Sequence, residues 1–241
     1  KQDFTHHVFL DREKASQYVR VFHESLPSDI VKAEHYFSDN RDQLINAFDF
    51  FLSGLSVDGY GNSQLIKRLN SELEEARSEF VIRPSRLGAH ELQLRVDPVT
   101  SSLIDELLQS SDRAANLMSQ AWSKLYSRSP DPTGAVLNAV KALEAIAAPI
   151  VTPSDNAPTL GKIADCLRVK PEKWSGVVDD ARLVQRIADD LKFIWDNQKK
   201  SRHGHPNNEI EVSRKMAEVL LQMALCNLEL LRRGAISPVD L

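Results

Sequence analysis

The chain has 241 residues, 42% of them hydrophobic and 27% charged, with a formal net charge of -4. This is the balance of a globular protein with room for one large domain or a domain with an extension, and it excludes a disordered tail. It also excludes a protein that coats nucleic acid through a general positive field, so any nucleic-acid contact must be local.

The opening residues, KQDFTHHVFLDREK, lack the long apolar segment of a secretory signal. No initiator Met is present, so the chain reads as a fragment or trimmed form, and the expected setting is intracellular and cytoplasmic. No uninterrupted run of about 18 apolar residues occurs, so no transmembrane helix and no membrane partner is expected. His6 and His7 carry no assignment.

From Leu10 to Arg77 the spacing predicts several helices separated by breakers. LPSD (26–29) and FSDN (37–40) each offer a Ser or Asp cap, and VDGYGNS (57–63) reads as a turn. SQLIKRLNSELEEARSEF closes the block as a charged helix with a solvated face. FVIR (80–83) and ELQLRV (91–96) flank the turn-like PSRLGAH and predict a β-hairpin, with Leu92, Leu94 and Val96 on one side and Gln93 and Arg95 on the other.

Beyond Asp97 the pattern is helical again. Leu103, Leu107, Ala114, Met118, Ala121 and Leu125 form one stripe, read as a single long helix. SPDP (129–132) stops it, and Thr133 can cap the next helix, whose small residues Ala135, Ala139 and Ala142 permit close helix packing. APTLGKIADCLRV and ARLVQRIADDLKFIWDN give two further helices. The last helix runs from about Glu209 to Arg233, with Val212, Met216, Val219, Met223 and Leu230 inward and a Gly stop after two basic residues. The fold class is mostly α: an N-terminal helical region (1–78), a short β-hairpin connector (79–97) and a C-terminal helical bundle (98–241).

Cys166 and Cys226 lie far apart in apolar segments and read as buried thiols, giving neither a disulfide framework nor a CxxC site. Trp122 and Trp174 read as packing residues, and no phosphate-binding Gly loop or nucleophile elbow occurs.

The chemistry concentrates in IWDNQKKSRHGHP (194–206). Leu183, Val184, Ile187, Leu191, Ile194 and Trp195 share one arc of the preceding helix, and Asp196 lies about 180° away at 100° per residue, outside the core. Lys199, Lys200, Arg202, His203 and His205 then make a local electropositive spot that attracts phosphate. His203 can exchange a proton near neutral pH, while Arg202, Lys199 and Lys200 can neutralise charge on a phosphoryl group. The plain alternative is a solvated basic loop. Glu144 has two readings as well: it orients His203 or Asn197, or it is a helix-boundary charge paired to Lys141 or Arg182. His203-x-His205 lacks the companions of a metal site, so neither metal nor cofactor is expected.

Two stretches carry a family resemblance. DPTGAVLNAVKALEAIAAPIV (131–151) and WDNQKKSRHG (195–204), with TLGKIADCLR (159–168) between them, resemble the abortive-infection C-terminal domain of the HEPN superfamily over about residues 98–235. The resemblance implies a HEPN-like helical bundle, a homodimer, and a role in bacterial or phage defence. It also implies metal-independent RNA cleavage in a shared cleft, where the 2′-hydroxyl attacks the adjacent phosphate. Asn197, His203 and Gly204 match the motif, but its Arg falls on Asp196. A carboxylate there repels phosphate and cannot stabilise the transition state; Arg202 is the nearest substitute. Two functions follow. One is an endoribonuclease using His203, Asn197 and Arg202, with Lys199, Lys200 and His205 on the substrate and Glu144 and Asp196 in support. The other, favoured by Asp196, is a silent RNA-binding or protein-interaction module.

Overall fold

The computed structural model describes residues 41–55, 57, 62–85, 88–177, 180–202 and 212–239, with backbone alone at Arg41, Leu107, Leu108 and residues 199–202. The LPSD and FSDN caps, most of the VDGYGNS turn, His203 and His205 therefore lie outside the described residues. The described chain is mostly helical with a short antiparallel hairpin, in agreement with the sequence. It divides into two compact units at the Arg95–Val96 boundary.

The first unit holds helices α1 (Arg41–Ser53) and α2 (Asn62–Glu75) and strands β1 (Phe80–Pro84) and β2 (His90–Leu94). The strands pair antiparallel, with Ile82 opposite Leu92. Leu52, Ile66, Ile82 and Leu92 form the core, flanked by Ile45, Phe48, Leu69 and Phe80. A two-stranded hairpin leaves both outer edges unpaired, and helix side chains meet them here. The Asn70 amide takes the Ile82 N–H at 2.8 Å and gives to the Ile82 carbonyl at 2.9 Å. On the other edge the Asp49 carboxylate accepts the Leu92 N–H at 2.8 Å. The strict alternation of β2 is softened, because Gln93 is buried beside Leu92 and donates to Glu91.

The second unit contains α3 (Pro98–Gln109), α4 (Arg113–Tyr126), α5 (Pro132–Val151), α6 (Leu160–Val169), α7 (Ala181–Arg202) and α8 (Arg214–Arg232). A short 3₁₀ turn (Pro171–Lys173) precedes a small bridge between β3 (Trp174–Ser175) and β4 (Ser237–Pro238). The single long helix expected over 103–125 is two helices. Asp112 interrupts it as an N-cap that accepts the Ala115 N–H at 2.8 Å, an arrangement that needs non-helical backbone at the cap. Likewise Asp131, not Thr133, caps α5, through the Gly134 N–H.

Helix α5 runs through the bundle and packs against α4, α6, α7 and α8. Its fully buried Ala135, Ala139, Ala142 and Ala147 let those neighbours approach closely. Among the described residues it is the one helix long and apolar enough to cross a membrane, but half of it is buried inside the bundle, as a core helix requires. In α8 the buried stripe is Ala217, Leu220, Leu221, Ala224, Leu225, Leu228 and Leu231. Met216 and Val219, expected inward, are exposed. The core helix beside them offers small residues that accept an Ala/Leu face, so the stripe is displaced by one position. Cys226 is exposed and Cys166 half-buried, which corrects the reading of both as core thiols; Cys226 falls off the Ala/Leu stripe.

Candidate functional site

Helix α7 presents Val184, Ile187, Ala188, Leu191 and Ile194 to the core, all buried. Its neighbour α6 runs antiparallel, with Arg168 facing Asp189 and Lys192 reaching Asp165. The sequence predicted a helix ending near Asn197 and a basic loop. Instead α7 continues to Arg202, for a physical reason: Gln198, Lys199, Lys200 and Arg202 are good helix formers, and no Gly or Pro intervenes before Gly204. Cations in a last helical turn also lie at the negative end of the macrodipole.

This extension changes the spacing of the candidate groups. On a helix, the backbones of Asp196 and Arg202 are separated by about 9 Å of axial rise. Asp196 is about half exposed, as its wheel position predicted. It pairs with Lys192 one turn earlier, at 3.4 Å, and Lys192 also lies 3.9 Å from Asp165. Lys192 was missed in the sequence, although its i,i+4 spacing to Asp196 was legible there. The Asn197 side chain turns back onto its own helix, its amide donating to the Phe193 carbonyl at 2.8 Å. That bond commits one donor of the residue in register with the motif's Asn.

Glu144 sits on α5 facing the start of α6. Its carboxylate accepts the Leu160 N–H at 2.9 Å, and Thr159 caps the same helix through the Lys162 N–H. Glu144 thus satisfies a donor that the first turn of α6 leaves open. Arg182, offered as its partner, is engaged by Asp180, whose carboxyl is held down at about 2 by the Arg182 guanidinium. Trp195, expected in the core, is only partly buried, and its indole edge lies against Gly161 of α6.

Thr133, Tyr126, Arg214 and Glu218 complete the described surroundings where the chain enters α8. The Thr133 hydroxyl accepts the Val212 N–H at 3.2 Å, tying the residue just past 203–211 to the start of α5. Tyr126 stacks on Trp122, with centroids 4.2 Å apart. Burial, with help from Glu218, pushes its phenol up to about 12, while Arg214 opposes the shift. Arg214 is itself paired to Glu218 at 3.1 Å. Among the described residues no group of three or more His, Cys, Asp or Glu could hold a metal ion.

The described structure therefore brings together Asp196, Asn197 and Lys192 on α7, while Glu144 is bonded to the first turn of α6. His203 and His205, and the side chains of Lys199, Lys200 and Arg202, lie outside what is described. No family model, no curated protein and no solved structure matches this chain.

Proposed function

We propose that this chain is a HEPN-like RNA-binding module with a silenced ribonuclease motif, acting as a homodimer in a bacterial or phage defence setting. One observation carries the reading: a half-exposed carboxylate, Asp196, stands where the motif requires a guanidinium, and Lys192 already pairs with it. A phosphate approaching that position meets Asp196 already paired with Lys192, and a carboxylate cannot stabilise the developing charge of cleavage. Phosphate affinity then falls to Lys199, Lys200 and Arg202 on the last turns of α7 and to His203 and His205 beyond it. Binding of this kind is local, driven by counterion release, and compatible with an acidic chain.

The test is fluorescence anisotropy with labelled single-stranded RNA in EDTA across a salt series. Wild type is expected to bind. Lys199→Ala/Lys200→Ala should weaken binding and flatten the salt slope by about 1.4, the share of two phosphate contacts on a single strand. Absence of saturable RNA binding at low salt would leave the protein-interaction role in its place.

A further inference from the structure

We propose that Gly161 and Trp195 form a positioning contact that fixes the last turns of α7, the part of the helix bearing Asp196, Asn197 and the cations after them. The contact has no slack. A Cβ added at Gly161 would stand 2.6 Å from the Trp195 Nε1, 2.8 Å from its Cδ1 and 3.0 Å from its Cε2. The edge of the indole therefore occupies the space a side chain would take, and only glycine permits the approach.

The backbone is held on both sides of the contact. Gly161 lies in the first turn of α6, and that turn is fixed from two sides: the Glu144 carboxylate holds the Leu160 N–H, and Thr159 caps the helix. Leu160, Ile163 and Ala164 around it are fully buried. On the other side, Ile194 is fully buried, so the backbone carrying Trp195 cannot retreat without unpacking the core. Trp195 is followed directly by Asp196 and Asn197. A side chain at Gly161 therefore presses on the residue whose backbone leads directly into the candidate site. Glu144 acts in the same relay, from α5 through the start of α6 to Trp195, rather than on the site directly.

The consequence for ligand rests on the RNA-binding reading above; the positional claim does not. Both are read by hydrogen exchange over residues 196–202 and by RNA affinity, for Gly161→Ala, Trp195→Leu and the double variant. Leu231→Ala, at the far end of α8, serves as the control for plain destabilisation. The added methyl of Gly161→Ala should speed exchange over 196–202 about tenfold, as overpacking and local opening imply. Trp195→Leu should speed it as well by leaving a void, and the double variant, in which the methyl fills that void, should return to within about twofold of wild type. RNA affinity should follow the same order, whereas Leu231→Ala should lower the melting temperature without selective change at 196–202. Should Gly161→Ala fail to fold, Trp195→Leu and the double variant carry the comparison alone. Unchanged exchange in the folded variants, absence of rescue, or an equal effect of Leu231→Ala overturns the proposal. Wild type that fails to bind RNA while exchange follows the expected order refutes the RNA reading and leaves the positioning contact standing.

Discussion

The two units solve the same problem, satisfying the backbone while burying apolar surface, by different means. In the first, polar side chains of α1 and α2 finish the hydrogen bonding of a hairpin that cannot finish its own: Asn70 on β1 and Asp49 on β2. In the second, each helix bonds itself and the work passes to close packing between the Ala-rich stripe of α5 and the Leu/Ala stripe of α8. The first unit is therefore sensitive at a few polar positions, and the second along whole faces. A charged pattern can hide a structural residue such as Asn70, just as an apolar one can.

The largest expected effect lies in the bundle. Leu143, fully buried on α5, should lose about 2–5 kcal/mol on change to Ala, measured by urea unfolding, because its neighbours cannot close the cavity. Asn70→Ala should come next. It strands the N–H and carbonyl of Ile82, for about 2 kcal/mol in all, and speeds amide exchange across Phe80–Leu94. Unchanged exchange there would mean that edge bonding is not what holds the hairpin.

Smaller still is the Asp131 cap. Its Ala variant should cost about 1 kcal/mol. The same residue gives an acid edge. The Lys124 ammonium, then the Gly134 N–H, hold its carboxyl below the ordinary 3.8. Between the folded and unfolded values the unfolded chain binds more protons, so stability rises with pH. The Asp131 contribution is complete above about pH 4 and lost as pH falls through the folded value. Tyr126 gives the alkaline counterpart with opposite sign. Its raised phenol contributes stability below about pH 10 that disappears as pH rises towards 12, and Tyr126→Phe should remove that dependence. Thermal melts from pH 2 to 12 read both edges.

Much of the fold was legible because it follows from periodicity. The hairpin, the Ala-rich α5 and the buried face of α7 all follow from spacing that one element imposes on itself. What was not legible depended on partners remote in sequence. The break at Asp112 looks like any polar position on a long helix until its cap bond to Ala115 is seen. The α8 stripe falls one position along, on Ala217, Leu220, Ala224 and Leu231, so Met216 and Val219 are exposed. At the candidate site, the wheel placed Asp196 outside the core and spacing could have supplied Lys192. The role of Glu144 on Leu160, 16 residues away, and the fit of Trp195 against Gly161 required the packing of three helices.

The proposed silencing of RNA cleavage by Asp196 is read by incubating end-labelled RNA with saturating wild-type protein in EDTA, beside Asp196→Arg and His203→Ala. Wild type is expected to bind the RNA and leave it intact, and Asp196→Arg, with a guanidinium in place of the carboxylate, to bind more tightly and gain cleavage. Cleavage by wild type that His203→Ala abolishes would contradict this expectation and establish an active ribonuclease.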